Sequence, residues 1–294
     1  MVKTFKVAGI GELLWDLLPQ GKQLGGAPFN FAYHAFQAGC HPYVISAIGF
    51  DSPGDEILSR CDELELDKSY IQRMAGFPTG TVTVSLDAGG VPSYVIHENV
   101  AWDNIAWTDP LEDLAKSLDA VCFGSLAQRF PVSRQTILRF LKATRKDCLR
   151  IFDINLRQAF YTKEIVIQSL GLADLLKLNE DELPEVANLL DIQGDENELI
   201  DRLMNIFGLK LIALTKGSKG STLFTKTEKS EMNVPVVMIA DTVGAGDSFT
   251  AILVAGLLQN LSLGRIHNTA TQVAAFVCTQ KGATPKLPQT ILRF

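Results

Sequence analysis

Short apolar runs alternate with amphipathic segments along most of the chain. From residue 119 onward the apolar runs have the length of strands, and their sequences are AVCFGSL, LRIFDIN, DLLKLN and LKLIALT. The segments between them have helical periodicity and cover 133–146, 163–171 and two stretches within 180–207. Uninterrupted apolar runs of this length are typical of parallel strands that helices cover on both faces. The pattern therefore predicts a three-layer α/β/α sandwich with a mostly parallel central sheet.

The N-terminal part begins with the same alternation. FKVAGIGE is predicted to be a buried strand that ends in a glycine turn, and NFAYHAFQAG is predicted to be a helix. YVISAIG is predicted to be the next strand, and residues 53–64 a helix with Pro53 and Gly54 at its start. The sheet is therefore expected to include the first strands of the chain.

Residues 79–97 break this alternation. TVTVSL alternates polar and apolar positions, DAGG supplies a hairpin turn, and VPSYVI forms the returning strand. A hairpin inserted into a βα series is expected to stand off the main sheet, although an antiparallel pair at the sheet edge is the alternative. We expect a single domain over 1–294 with a small β-lid formed by about 12–24 and 79–101. A second hairpin is predicted at 221–237, at the edge of the main sheet.

Composition and charge restrict the partners of the protein. The 294 residues are 47% hydrophobic and 20% charged, which is typical of a well-packed globular protein. The net charge is -6 and the sequence has no cluster of Lys and Arg. We therefore expect small-molecule partners, and neither nucleic acid nor an anionic membrane.

Location and metal content are also restricted by the sequence. Glu12 and Asp16 interrupt the apolar N-terminus and no small-residue cleavage site follows, so we expect neither a signal peptide nor a membrane span. The five scattered cysteines are typical of reduced thiols in a cytoplasmic protein. No pair of histidines or cysteines has the spacing of a transition-metal site. A cytoplasmic location without such a metal centre is the expectation.

The stretch DTVGAGDSFTAILVAGLL places small residues before a strongly apolar helix. Gly244, Ala245 and Gly246 allow a tight turn that leaves backbone N–H groups open at the start of a helix beginning near Asp247. Such a helix start attracts phosphate or another anion. Transfer of a phosphoryl group to a hydroxyl needs these donors, together with a carboxylate that orients the hydroxyl and accepts its proton. The simpler interpretation is that Asp247 only caps the helix.

The surroundings of this motif suggest how it would act. The helix N-terminus is expected to make Asp247 a weak base, which suffices if the hydroxyl becomes acidic only as the new bond forms. Neither VGAGDS nor KGSKGST supplies the G-x-x-x-x-G-K-[ST] pattern of a P-loop. GIGELL has Leu14 where a dinucleotide fingerprint needs its third glycine, which disfavours a Rossmann dehydrogenase.

At this point the motifs support a family resemblance. Residues 241–258 resemble the C-terminal signature of the ribokinase/PfkB family of sugar kinases, and LGGAPFNFAYHAFQAG at 24–39 resembles its N-terminal region. Further motifs follow in the family's order over essentially the whole chain, and they are GELLWDLLP, FDINLR, LNEDE, LTKGSKG and TQKGATP. GELLWDLLPQG, GGAPFN and GSLAQR (124–129) together resemble fructokinase-like members in particular. The resemblance implies a ribokinase-like fold and ATP-dependent phosphorylation of a sugar, with fructose as the first choice.

The resemblance also implies roles for individual residues in the transfer and in sugar binding. Asp247 would be the catalytic base, the N–H groups of 244–246 would form the anion hole, and Arg157 would clamp phosphate. The sugar hydroxyls would be bound by Asp16, Gly25, Gly26 and Asn30. The simpler alternatives are a solvated turn residue for Asp16, a helix-start residue for Asn30 and an ordinary surface arginine for Arg157.

A second set of implied residues concerns the nucleotide and its ions. The implied nucleotide-binding residues are Asn179, Thr215, Gly217, Gly220, Gly282 and Ala283. Asn179 and Glu182 would hold Mg²⁺ through water, as oxygen ligands do. A monovalent cation such as K⁺ is implied near Asp241 and Gly282. The simpler interpretation of NEDE is that it caps a helix. The simpler interpretation of LTKGSKG is a loop between two strands.

The sequence departs from the family pattern in two places. The family commonly has Thr where this chain has Val243, so only a backbone role is expected there. The polar and aromatic lid residues are interpreted as packing or surface rather than as sugar ligands, and they are Tyr94, His97, Trp102 and Asp103.

The alternative acceptors are 2-keto-3-deoxygluconate, ribose or a nucleoside. A catalytically silent sugar- and nucleotide-binding protein is the alternative outside the enzymes. It predicts loss of the aspartate, the glycines or the Mg²⁺ pair, all of which are present. A lid sheet with an exposed edge could also pair with a second lid and form a homodimer.

Overall fold

A computed structural model of the protein describes residues 4–18, 21–86 and 92–292. Thirteen strands occur in the described residues. In chain order they are β1 (Lys6–Ile10), β2 (Leu14–Leu18), β3 (Gly21–Gly25), β4 (His41–Gly49), β5 (Ile71–Met74), β6 (Gly80–Leu86), β7 (Pro92–Ile96), β8 (Ala120–Phe123), β9 (Leu149–Asp153), β10 (Leu175–Asn179), β11 (Leu211–Thr215), β12 (Ser221–Thr225) and β13 (Lys229–Met232).

Nine α-helices occur in the same ranges. In chain order they are α1 (Ala27–Gln37), α2 (Ser52–Glu63), α3 (Asp109–Ser117), α4 (Pro131–Ala143), α5 (Lys163–Leu170), α6 (Glu182–Leu189), α7 (Glu196–Phe207), α8 (Ala245–Leu258) and α9 (Leu263–Cys278). Within the part of the chain that the structure describes, no helix is both long and apolar enough to cross a bilayer.

The main sheet has nine strands in the order β13-β12-β11-β10-β9-β8-β1-β4-β5. The strands from β11 to β5 pair in parallel, while β12 and β13 add an antiparallel edge. This confirms the mostly parallel sheet, and the edge hairpin of β12 and β13 covers the first part of the predicted 221–237. The sequence pattern missed β5, which is only four residues long and only partly buried.

Helices cover both faces of the main sheet because successive residues of each strand point to opposite sides. In β1, Val7 packs in a core with α1, α8 and α9, whereas the next residue, Ala8, packs in a core with α3 to α7. Both residues are fully buried. One core therefore lies on each face of the sheet, between the sheet and a layer of helices. This confirms the predicted three-layer α/β/α sandwich.

A second sheet contains the strands that the sequence placed outside the main series. Its order is β3-β2-β6-β7, with β2 antiparallel to β3 and parallel to β6, and with β6 antiparallel to β7. The hairpin of 79–97 is therefore not an edge pair of the main sheet. Its DAGG turn lies outside the described residues, as do residues 19 and 20. Closure of the second sheet over a ligand stays a prediction.

Trp102 and Asp103 connect the second sheet to the body of the protein. Trp102 is fully buried, and the guanidinium of Arg129 lies 4.1 Å from its ring centroid. The same guanidinium binds Asp103 in a bidentate pair, with its Nε 2.8 Å from Oδ1, and donates to the carbonyl oxygen of His97 at 2.6 Å. The interpretation of Trp102 and Asp103 as packing residues therefore agrees with their contacts.

Candidate active site

The candidate site lies where the parallel strands end. Asp153 is the last residue of β9, Asn179 of β10 and Thr215 of β11. The register pairs Asn179 directly with Thr215. Because parallel strands end at the same edge of a sheet, ligands of α/β proteins bind beyond their carboxyl ends. The strand ends thus bring together two of the predicted nucleotide-binding residues.

The start of α8 explains why its two glycines are needed. Gly244 precedes the helix with a φ of 80°, and a β-carbon there would lie 2.6 Å from the carbonyl oxygen of Ala283. A β-carbon at Gly246 would lie 2.9 Å from Nζ of Lys177. The first glycine supplies a left-handed turn and close approach to another loop. The second glycine allows an ammonium group to lie directly behind the helix start.

Not all three predicted N–H donors are open. Within the described residues, the N–H groups of Gly244 and Gly246 have no acceptor in the chain. The N–H of Ala245 instead donates to the carbonyl oxygen of Thr242 over 3.3 Å, because the chain tightens into a turn just before the helix. The prediction of three open donors is therefore wrong for Ala245. Of the three predicted donors, the N–H groups at 244 and 246 are therefore the free ones, and the N–H of Asp247 also has no acceptor within the described residues.

Asp247 lies in the first turn of α8 and contacts the predicted sugar side. Nδ2 of Asn30 donates to Oδ2 of Asp247 over 2.8 Å, across 217 positions in sequence. Burial raises the pKa of Asp247 to about 6, and the charge of Asp153 raises it further, against the bond from Asn30. The expectation of a weak base is therefore wrong, because burial raises the pKa by more than the bond from Asn30 and the nearby cations lower it. A carboxylate with this pKa is better suited to accept a proton near neutral pH.

Asp16 and the two glycines of the N-terminal motif lie next to each other. Asp16 is on β2, which pairs with β3, and a β-carbon at Gly25 would clash with Oδ2 of Asp16. Gly26 has a φ of 117° and would clash with the carbonyl group of Glu12 if it had a side chain. Burial raises the pKa of Asp16 to about 6, although the charge of Arg157 lowers it.

Glu12 is a buried acid that the sequence analysis did not assign to the site. It is 3% exposed, its Oε1 accepts the N–H of Ala27 over 3.2 Å, and its Oε2 is buried without a partner. Burial raises the pKa of Glu12 to about 7, and the nearby charge of Asp247 raises it further. The available signal was an acidic residue directly after a buried strand and a glycine, which the sequence analysis used only against a signal peptide.

Arg157 is the cation that these acids share. Its side chain is exposed, and its charge lowers the pKa values of Glu12, Asp16 and Asp247, without cancelling the effect of burial on any of them. The charge of one arginine therefore acts on three carboxyl groups. Such a position suits a residue that binds phosphate oxygens, and that role for Arg157 stays a prediction.

Lys177 provides a second cation, which is buried and was also missed. Its Nζ lies 3.0 Å from Oδ1 of Asp153, whose Oδ2 accepts the hydroxyl of Thr250 over 2.9 Å. Burial opposes the charge of Lys177, but Asp153 and other nearby acids raise its pKa. The lysine therefore stays charged behind Gly246. In the sequence it stands alone within the apolar run DLLKLN, where a buried ion pair is invisible without its partner.

The predicted metal pair forms a reciprocal helix cap. Oδ1 of Asn179 accepts the N–H groups of Asp181 and Glu182, both over 2.9 Å. Oε2 of Glu182 accepts the N–H of Asn179 over 2.8 Å, and Oε1 accepts the N–H of Leu156 over 2.9 Å. An amide oxygen has two lone pairs, so Oδ1 of Asn179 is saturated, while each oxygen of Glu182 keeps one. Only Glu182 has oxygen lone pairs left for a metal-bound water.

The remaining predicted residues form loops at the same edge. Gly217 and Gly220 have φ values of 52° and 105° in the turn between β11 and β12. Asp241 links the other two loops, since its Oδ1 accepts the N–H of Val243 over 3.0 Å and its Oδ2 that of Gly282 over 3.1 Å. Both oxygens of Asp241 therefore support the backbone. Binding of nucleotide and of a monovalent cation by these loops stays a prediction.

Comparison with known proteins finds relatives over almost the whole chain. The sequence model of the pfkB family carbohydrate kinase matches residues 19–290. A protein from Pyrococcus horikoshii that is named as a sugar kinase is 31% identical over 95% of this chain and 93% of its own. Its crystal structure in complex with ATP has a TM-score of 0.81, at 28% identity, and covers 95% of this chain and 94% of that one.

Two fructokinases are also similar. The fructokinase of Klebsiella pneumoniae is 29% identical over 96% of this chain and 96% of its own. The crystal structure of a fructokinase from Xylella fastidiosa with bound ATP has a TM-score of 0.85 at 20% identity, and it covers 99% of this chain and 98% of that one. The second likeness shows that the fold is shared.

Proposed function

We propose that this chain, which belongs to the pfkB family of carbohydrate kinases, transfers the γ-phosphoryl group of ATP to a hydroxyl group of fructose. The family establishes the coarser activity: the chain is an ATP-dependent carbohydrate kinase. Similarity to fructokinases supports fructose as the acceptor. The observation that carries the proposal is the contact between Asn30 and Asp247, because it joins the sugar-side helix to the start of α8.

The proposed acceptor site lies between Asp247, Asn30 and Asp16. Asn30 donates to one oxygen of Asp247 and so fixes the orientation of the carboxylate. The other oxygen, Oδ1, is left to accept the proton of the sugar hydroxyl. Carboxylates that bind vicinal hydroxyl groups give a sugar one orientation, and Asp16, which lies beside Gly25, would do so here.

The chemical step conserves charge and atoms without a covalent intermediate. The hydroxyl oxygen of the sugar forms a bond to the γ-phosphorus, the bond from that phosphorus to the β–γ bridging oxygen breaks, and ADP leaves. The proton of the hydroxyl passes to Asp247 and then to solvent. Because the transition state is loose, the main contribution of the protein is to place the groups and to neutralise charge on the phosphoryl oxygens.

Charge neutralisation would come from two directions. The free N–H groups of Gly244 and Gly246 lie at the helix start, and the ammonium of Lys177 is close to the second glycine. Arg157 would approach from the exposed side. Removing one oriented donor from such a site typically costs about 10² to 10³ in turnover.

A magnesium ion accompanies ATP in this chemistry, and the donor set fits it only in part. Oxygen atoms suit Mg²⁺, which keeps several of its water ligands. Glu182 would bind such a water with its remaining lone pairs, whereas Asn179 would offer only its amide N–H groups, which suit a phosphate oxygen. When bound, the ion would neutralise charge on the phosphates.

The test is a substrate screen that measures ADP formation and identifies the product by ³¹P NMR. Fructose, ribose, glucose, 2-keto-3-deoxygluconate and adenosine are compared, each with and without K⁺. The Asp247→Ala variant supplies the blank for ATP hydrolysis. We expect kcat/KM for fructose to exceed that for each other acceptor by about tenfold or more, because unpaired polar groups in the site penalise the wrong hydroxyl pattern.

Each outcome of the screen has a defined meaning. A higher kcat/KM for another sugar contradicts fructose and leaves the kinase activity in place. Sugar and ATP binding without turnover on any acceptor would favour the silent binding protein. Stimulation by K⁺ would support a cation site at Asp241, and equal rates without K⁺ would contradict it.

A further inference from the structure

His34 is a fully buried histidine on α1, one turn after Asn30. Its Nε2 lies 2.8 Å from the carbonyl oxygen of Ala283. A carbonyl oxygen only accepts, so Nε2 carries the proton and donates it. Nδ1 is buried without a partner, and burial lowers the pKa of the imidazole to about 4. At neutral pH the ring is therefore uncharged, with a single useful hydrogen bond, to Ala283.

Ala283 is in turn the residue that packs against the start of α8. A β-carbon at Gly244 would lie 2.6 Å from the carbonyl oxygen of Ala283 and 2.7 Å from its Cα and Cβ. Ala283 thus packs directly against the left-handed turn at Gly244. The carbonyl group that His34 binds is the same group that faces Gly244.

Gln37 holds the same segment from the next turn of α1. Its Nε2 donates to the carbonyl oxygen of Pro285 over 3.1 Å, and its Oε1 accepts the N–H of Leu287 over 2.7 Å. α1 therefore binds the segment 283–287 at three points. Because α1 also carries Asn30, a single helix holds both the carboxylate of Asp247 and the segment 283–287 that packs against Gly244.

We propose that His34 is a positioning residue for phosphoryl transfer, which fixes the Ala283 carbonyl group and through it the direction of the N–H groups at 244 and 246. This inference rests on the proposed function, in which those two N–H groups receive the phosphoryl oxygens. Because His34 is fully buried, this role does not require it to touch the sugar or the nucleotide. Its effect should therefore appear in turnover more than in sugar binding.

The variants are chosen to separate positioning from burial. His34→Leu keeps an apolar side chain of similar volume but removes the donor. His34→Gln restores an N–H donor at the place of Nε2, and its oxygen replaces Nδ1, which already lacks a partner. His267→Leu is the matched control, because His267 is also fully buried and uncharged at neutral pH, with bonds of 2.8 Å to Ser221 and Ser230 at the sheet edge.

The first readout is the division of the effect between kcat and KM. We expect kcat of His34→Leu to fall by about 10 to 100-fold, less than the full loss of an oriented donor. The KM for the sugar should stay within about threefold, and His34→Gln should recover most of kcat. His267→Leu should lower stability and leave kcat within about twofold. Equal loss of kcat in both leucine variants, or no recovery with Gln, would overturn the proposal.

The second readout does not depend on activity. The N–H of Gly282 donates to Asp241 over 3.1 Å and that of Ser248 to Gly244 over 2.9 Å, so both report on the two sides of the Ala283 contact. Hydrogen exchange at these amides should be about tenfold faster or more in His34→Leu, and unchanged in His34→Gln and His267→Leu. Unchanged exchange in His34→Leu would overturn the positioning role. If the wild-type chain phosphorylates no sugar, the proposed function fails. Amide exchange still decides whether His34 fixes the position of Ala283 against Gly244.

Discussion

Buried acids at the two ends of the main sheet behave in opposite ways. At the amino end, Asp174 lies just before β10, with Nε of Arg150 2.9 Å from its Oδ2 and Nζ of Lys210 3.0 Å from its Oδ1. Burial opposes the charge of Asp174, but these bonds lower its pKa below the usual value. At the carboxyl end, burial raises the pKa values of Glu12 and Asp247 to about 7 and about 6.

The difference lies in how many partners each carboxylate has. Asp174 is paired with two cations of its own, whereas Glu12, Asp16 and Asp247 are all affected by the exposed Arg157, with Lys177 acting on Asp247 as well. The amino end therefore stabilises the fold through its charges, while ionised acids at the carboxyl end cost stability. Groups with raised pKa values concentrate where a protein performs acid–base chemistry. The contrast marks the carboxyl end as the reactive one.

The largest expected effect comes from Asp247→Asn. The amide keeps the shape of the side chain and an oxygen for Asn30, but it cannot accept the proton of the sugar. We expect turnover to fall by about 10³ to 10⁴-fold, with sugar and nucleotide binding nearly unchanged, as measured by kcat and by calorimetry. Asp174→Asn is the matched control and should leave kcat within about twofold. Comparable loss of turnover in both variants would erase the distinction between the two ends.

Glu12→Gln should stabilise the protein at high pH. The folded pKa of Glu12 is raised from 4.5 to about 7, so the folded state binds the proton more tightly and loses stability as pH rises from about 4.5 to about 7. Glutamine removes this cost and retains an oxygen for the N–H of Ala27. We expect the free energy of unfolding to rise by about 3 kcal/mol at pH 8 and by little at pH 4.5. Urea unfolding at both pH values measures this, and a loss at pH 8 would contradict it.

Asp174→Asn should have the opposite sign. The folded pKa of Asp174 is lowered, so its contribution to stability is present above the unfolded pKa and is lost as pH falls through the folded one. We expect the variant to be destabilised by about 2 kcal/mol at pH 7, since Arg150 and Lys210 lose a charged partner. The difference from wild type should shrink toward pH 3. If the difference in the free energy of unfolding stayed constant from pH 7 to pH 3, the loss of stability would be due to packing and not to charge.

The smallest effect is expected in the pH profile of the wild-type enzyme. Asp247 must be ionised to accept a proton, and its pKa is about 6. We expect kcat/KM to fall about tenfold for each pH unit below about 6, and more steeply if Asp16 must also be ionised. The measurement is a pH–rate series, with circular dichroism to confirm that the chain stays folded. A flat profile down to pH 4.5 would contradict the role of Asp247 as base.

The sequence predicted the layers of the fold because those layers depend on local patterns. Apolar runs such as LRIFDIN are long enough to identify strands that are buried on both faces, and TVTVSL has the alternation of a hairpin. β5 was missed because four partly buried residues carry no such pattern. β2 and β3 were expected only as lid segments. They pair with each other locally, but their place in a sheet depends on β6, which is far away in sequence.

Residues of the candidate site could be predicted only where they stand together in a local sequence motif. The glycines at 244 and 246 and Asp247 stand together in one stretch, so their role could be proposed from sequence alone. Glu12, His34 and Lys177 were missed because each acquires its importance from a contact with a distant residue. The basicity of Asp247 was misjudged for the same reason, since burial by the rest of the molecule sets it.

The bond between Asn30 and Asp247 also means that the proposed base is oriented only late in folding. The two residues are 217 positions apart, and α1 leaves the ribosome long before α8 is made. A growing chain therefore lacks the proposed base, which Asn30 orients only when the last helices dock. Contacts of such wide separation form slowly. After dilution from denaturant, the return of turnover should consequently lag behind the return of helical signal.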